Sequence, residues 1–459
     1  MRNFLLTTIT LCTISFNSFA QSEANEVFIR QLGETHQAQV EQGANGGTAH
    51  DNQVSVYQAG TGSQVSVQQG VFGGTARGNE ATLHQQGSNH QAAILQGTGE
   101  YEPSSAVANQ ATISQEGSSN AARIDQAAYE STEAQDNEAK ISQKGQRNAA
   151  QILQGGDYLY GGSTQASAAL ITQQGSDNQA TIGQGEEGRS EGDITTIHQT
   201  GRGNTAATEG YSLSATQDTE VLIRQTGDDN EASVSQDEFG FSQKDEATIA
   251  QQGDANRAGI LQGGDGGSSI DNEATIRQMG ARHTGSIIQA RNIIEAKNNQ
   301  ATLAQQGEAN AARITQGAEG PAHNSVATVT QRGTGNSADV GQSVYYGSSA
   351  QDEATVRQQG DANAVTITQG DFYTSEDNTA TVQQTGENHD AYIFQGAGEI
   401  FGSFVDNAAN FRGAAVVSQQ GQDHQAVIIQ AGADQTITVQ QRGTGSATHV
   451  AQGTGLQTP

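Results

Sequence analysis

The chain restates one short pattern sixteen times, and few folds are open to a sequence built that way. A clear copy runs from Asn299 through Ala301, Leu303, Gln305, Gly307, Asn310, Ala312 and Ile314 to Gln316 and Gly317. With Asn299 as position 0, the skeleton is N-x-A-x-I-x-Q-x-G-x-x-N-x-A-x-I-x-Q-G. Copies start at Asn25, Asn52, Asn79, Asn109, Asn137, Ser167, Asp193, Thr219, Asp245, Asn272, Asn299, Ser325, Asp352, Asn378, Gly413 and Gln435. They follow one another mostly at 26 or 27 residues, with 35 before Gly413 and 22 after it. A period of roughly 20 to 50 residues marks a solenoid, a propeller or an array.

The recurring positions alternate in twos, at 0, 2, 4 and 6 and again at 11, 13, 15 and 17. That is the period of a strand with one buried face. Each copy therefore predicts a strand, a tight turn at the Gly, a second strand and a loop to the next copy. The expected fold is all-β: a β-solenoid with two strands per coil and about sixteen coils. One copy buries only two large aliphatic side chains, too little to order its own chain, so copies must stack and share hydrogen bonds. Stacking at about 4.8 Å per layer places like residues above one another, as in cross-β assemblies.

Position 6 is invariant: Gln31, Gln58, Gln85, Gln115, Gln143, Gln173, Gln199, Gln225, Gln251, Gln278, Gln305, Gln331, Gln358, Gln384, Gln419 and Gln441. A buried amide needs partners for both its oxygen and its NH₂ group, and a ladder of identical amides supplies them from the layers on either side. Position 17 is Gln in every copy except the one holding Gly210, and position 8 is Gly throughout, as at Gly33, Gly87, Gly175, Gly307 and Gly443. Those glycines are expected to turn the backbone at a φ that a Cβ disfavours. Position 11 is Asn in nine copies, His in five (His36, His90, His283, His389, His424) and Ser in two.

The first twenty residues read as a secretory leader. Met1-Arg2 is a short positive start, Phe4 to Phe16 is largely apolar, and Ser18-Phe19-Ala20 is a small-x-small cleavage site. Cleavage is expected between Ala20 and Gln21, and no other stretch has the length and apolarity of a membrane span. The single cysteine, Cys12, lies in the leader, so neither disulfides nor thiolate metal sites are expected beyond it. A net charge of −29 argues against nucleic acid and anionic membranes as partners. Only 33% of residues are apolar and 57 are Gly, a composition that without the repeat would read as disorder.

The motif Q-x-G-x-x-N-x-A-x-I-x-Q, as in Gln173, Gly175, Asn178, Ala180, Ile182 and Gln184, resembles the curlin repeat of curli, the extracellular amyloid fibres of Gram-negative biofilms. The resemblance covers nearly all of the chain after the leader. It implies export through a dedicated outer-membrane pore and polymerisation at the cell surface on a nucleator, in support of matrix formation and adhesion. A monomeric surface adhesin is the alternative. Both end copies lie close to the chain termini, so head-to-tail self-association is expected to extend the ladders from one copy of the chain into the next.

Other chemistry is thinly represented. The position-11 histidines lack a Cys or a fixed carboxylate beside them, so they read as polar core fillers rather than metal ligands. Gly263-Gly-Asp-Gly-Gly is a lone near miss to a Ca²⁺ repeat. The recurring outward Thr of position 3 suggests an ice-binding lattice but is interrupted at Lys140 and Leu222. No Ser–His–acid or paired-carboxylate constellation stands out, which points to a structural protein without a cofactor. Aromatics gather between copies, at Tyr158 and Tyr160, Phe239 and Phe241, Tyr345 and Tyr346, Phe372 and Tyr373, and Phe401 and Phe404. They are expected on loops along one edge.

Overall fold

The computed structural model describes residues 13–15 and 22–453, apart from 99–103, 128–132, 156–162, 186–188, 210–214, 237–240, 265–267, 292–295, 318–319, 344–347, 371–373, 397–398, 401–402 and 405–409. Every regular element among the described residues is a β-strand, and the strands form a parallel β-solenoid. The chain divides into two units, one ending at Asp229 and the other starting at Asn230.

In the second unit a representative layer has a nine-residue strand, Gln300–Glu308, and a six-residue strand, Ala311–Gln316. Inward positions of both are closed off: Ala301, Leu303 and Gln305 on the first, Ala312, Ile314 and Gln316 on the second. Each strand pairs in parallel with its equivalents in the layers before and after. Gln278, Gln305 and Gln331 lie one above another, as do Ile287, Ile314 and Val340. The first unit repeats the plan, with Gln85, Gln115 and Gln143 in register and Ile124 above Ile152 and Ile182. Long strands recur from Glu26–Glu34 to Glu220–Thr226 in the first unit, and from Glu246–Gln252 to Thr436–Thr444 in the second.

Two strands per coil proves incomplete. Each layer has a third, short strand just before position 0, such as Ser105–Val107 or Ala322–His323, and these strands pair into a third parallel face. The residue three places before position 0 is small and buried at Ala106, Ala134, Ala322 and Ser349. The third face closes the coil and covers the polar corner that a two-strand layer would leave open.

The turns also lie elsewhere than expected. Gly307 falls inside the long strand, with φ 112°, and the chain changes direction at the next corner, where Ala309 takes φ 54°. The other corner is built the same way: Asn298, with φ 52°, precedes the buried Asn299. The first unit repeats both corners at Ala108 and Ser119, each with φ 55°. A left-handed residue followed by a buried polar one is thus the corner device of the layer.

Thr13–Ser15, within the stretch read as a leader, lies parallel to Gln37–Gln39. An open sheet edge accepts such a β-branched segment readily. Of the aromatic positions between copies, Phe241 and Phe404 lie on short strands. The remaining eight lie outside the described residues, as does Gly210.

Candidate stacking interface

The surface with the densest specific chemistry is the one each layer presents to the next. In the first unit the amide of Gln31 donates to Gln58 (2.6 Å), Gln58 to Gln85 (2.9 Å) and Gln85 to Gln115 (2.8 Å). The run continues through Gln143, Gln173 and Gln199 to Gln225. In the second unit a run from Gln251 passes through Gln278, Gln305, Gln331, Gln358, Gln384 and Gln419 to Gln441, at 2.8–2.9 Å per rung. Interior amides also donate to a backbone carbonyl on the second strand of the preceding layer, as Gln305 does to Thr284 (3.0 Å) and Gln143 to Ala121 (2.8 Å). An interior amide such as Gln305 therefore accepts once and donates twice.

Position 17 forms a second ladder of the same kind, from Gln42 through Gln69 and Gln96 in the first unit and from Gln236 through Gln262 and Gln289 in the second. Positions 0 and 11 perform a different task at the two corners. The side-chain oxygen of Asn310 accepts the backbone N–H of Asn336 (3.0 Å) in the following layer, while its NH₂ group donates to the carbonyl of Gly333 (2.9 Å). Asn79 likewise accepts from the N–H of Asn109 (2.9 Å) and donates to the carbonyl of Ala106 (2.8 Å).

This geometry accounts for the position-8 glycines more fully than their φ alone. A Cβ on Gly33, Gly87, Gly175 or Gly307 would meet the carbonyl oxygen of the next layer's glycine well inside van der Waals distance. Positive φ, between 112° and 127° at these four, adds a second penalty. Gly443 keeps a φ of 102°, but a Cβ there would meet nothing.

His90, His283 and His389 are held as neutral rings. Nε2 of His389 meets the carbonyl of Thr385 (3.2 Å), while Nδ1 accepts the backbone N–H of His424 (3.3 Å). His90 and His283 repeat both bonds, and the rings of His389 and His424 stack at 5.0 Å. Burial pushes His90, His283 and His389 below the usual imidazole value. At His90, His283, His389 and His424 an N–H occupies Nδ1, so its lone pair is not directed at a metal ion. Outside, the second unit carries Thr248, Thr275, Thr302, Thr328, Thr355 and Thr381 in an unbroken rank, whereas Lys140 and Leu222 interrupt the equivalent row of the first unit.

Every ladder has a direction. Gln side chains donate toward the C-terminal neighbour, whereas corner Asn side chains accept backbone N–H groups from it. The two faces of a layer therefore differ, and one face complements the other. A parallel β-solenoid whose polar interior is satisfied only by further layers of the same kind is the class of protein that this arrangement defines.

The family model of the curlin associated repeat matches residues 195–237, which contain Gln199, Gly201, Gln225 and Gly227. The register carries the same positions into the neighbouring layers, and over the matched residues the chain is similar to the curlin associated repeat. No curated protein matches the chain.

Proposed function

We propose that this protein is the structural subunit of extracellular, curli-like amyloid fibres that support biofilm matrix and cell adhesion. The observation that carries the reading is the directional ladder. A layer's donors and acceptors are completed by another layer of the same chemistry, whether it belongs to the same chain or to a second copy. Head-to-tail self-association extends that pairing, with a nucleator or another curlin-repeat subunit as the first template and an outer-membrane pore as the route out. The leader ending at Ala20, with Gln21 as the new terminus, fits that route. Its removal would also free the Gln37–Gln39 edge, against which Thr13–Ser15 lies.

The test is electron microscopy of the purified chain lacking residues 1–20, followed over days with thioflavin fluorescence. Unbranched fibres with rising fluorescence are expected. A chain that stays monomeric with flat fluorescence overturns the proposal and leaves a surface solenoid that acts as a single molecule.

A further inference from the structure

Asp193 in the first unit and Asp352 in the second occupy position 0, which is Asn in eight of the sixteen layers, and they are only 3% and 1% exposed. The substitution changes what the rung can do. Asn both accepts and donates, whereas a carboxylate only accepts. The short strands around these residues change with it. Asn79, Asn109, Asn272 and Asn299 are followed in the next layer by Ala106, Ala134, Ala296 and Ala322. Asp193 instead lies between Ser190 and Thr216, and Asp352 between Ser349 and Ser375.

The hydroxyls converge on the carboxyls. Asp193 accepts from Ser190 (2.6 Å), Thr216 (2.5 Å), the backbone N–H of Thr219 (2.8 Å) and the Thr219 hydroxyl (2.9 Å). Asp352 accepts from Ser349 (2.7 Å), the backbone N–H of Asn378 (2.8 Å) and its side-chain amide (3.1 Å), with Ser375 a further partner. The partners facing either carboxyl are hydroxyls, an amide and backbone N–H groups, and no charged side chain is among them.

We propose that Asp193 and Asp352 are proton-loaded rungs: their layers take up a proton on folding in a mildly acidic medium, and the neutral carboxyl stands in for the Asn amide used elsewhere. The protonated group has one acceptor oxygen and one donor, the pair that Asn79 supplies at this corner in its own layer. The hydroxyls of Ser190, Thr216 and Ser349 that face the carboxyls can turn to accept from the acid O–H, since a hydroxyl both donates and accepts. Burial supports this by raising both carboxyls, with Asp352 moved from 3.8 to about 6.

The sign follows from proton uptake. A carboxyl whose folded value exceeds its unfolded one binds the proton more tightly when folded. Its contribution is full below pH 3.8 and is lost as pH rises through about 6 for Asp352. Within that window Asp352 changes the folding equilibrium constant by up to about tenfold per pH unit, and Asp193 acts with the same sign. The switch acts on folding of the layers themselves, so it stands apart from whether copies of the chain polymerise.

The test compares the full chain with D193N/D352N and with E80Q/E273Q, in which two exposed carboxylates are lost instead. Urea unfolding is followed from about pH 7 to about pH 5. The wild type and E80Q/E273Q are expected to gain stability together on acidification, and D193N/D352N to gain less. Asn137, which donates to the carbonyl of Thr164 (2.9 Å), shows that Asn is accommodated beside a hydroxyl-bearing layer. Should D193N/D352N fail to fold, infrared titration of the wild type decides alone. Folded protein near pH 5 is expected to show a protonated-carboxyl band in excess of the urea-unfolded chain. Equal pH slopes in all three proteins, or no excess protonated carboxyl on folding, overturns the proposal.

Discussion

At the scale of single residues, the layer is specified by polar groups more than by apolar ones. Buried Ile, Leu and Val alternate among themselves from copy to copy, because each only has to fill space of similar volume. Gln at position 6 has no such latitude. Gln305 accepts from Gln278 and donates to Gln331 and to the carbonyl of Thr284, so its removal leaves partners on both sides unsatisfied. Gln306 is its neighbour in sequence but points outward and is exposed. Gln305→Ala is therefore expected to lower stability by about 1–3 kcal/mol for each buried group left without a partner. Gln306→Ala should remain within about 0.5 kcal/mol of the parent. Urea midpoints of the two variants check this, and equal losses would show that the ladder contributes nothing specific.

At the scale of elements, what could be read from the sequence depended on strand length. The long and second strands each hold three or four inward residues, enough for a period of two to stand out, and Gln31 through Gln441 could be placed on one face from spacing alone. The short strand escaped because it holds a single buried residue, as Ala106 does between Ser105 and Val107, and one residue has no period. The recurrence of a small residue three places before position 0 was the available signal. Corners were hidden for another reason. Ala309 and Ala362 take φ 54°, yet alanine gives no sign of a left-handed conformation. Position 8 attracted the turn because Gly is the usual marker, although its role is to admit the next layer's carbonyl. The short strand makes its own prediction. Ala106 is fully buried beside Ala127 and Ala134, whereas Val107 is only partly buried. Ala106→Leu should overpack the corner and cost about 1–3 kcal/mol, and Val107→Leu should cost much less. If chemical denaturation finds the two equivalent, the third face does not close the core.

At the scale of the whole molecule, the opposing forces are layer pairing and charge. Fifty acidic residues face 21 Lys and Arg, and stacking sets like side chains of successive layers close together. Some of this is relieved between layers, by Arg147 with Asp177, Lys144 with Glu116 and Arg412 with Asp434. These pairs are exposed and each contributes little. The net charge of −29 remains and acts over many layers at once. Raising salt from about 0.01 M to about 0.15 M shortens the screening length from about 30 Å to about 8 Å. Repulsion from all but the nearest one or two layers, at about 4.8 Å each, is then removed. The ladders, buried and dry, are barely touched. If growth proceeds by adding layers of one chain to layers of another, the lag before thioflavin fluorescence should shorten steeply over that range, and again on acidification toward the pI of about 4.5. Within an already folded chain the same change should move the urea midpoint far less, because its layers are joined covalently and do not have to approach. A lag independent of salt, measured beside a salt-independent midpoint, would mean that charge does not limit association and that the approach of two chains is governed by some other step.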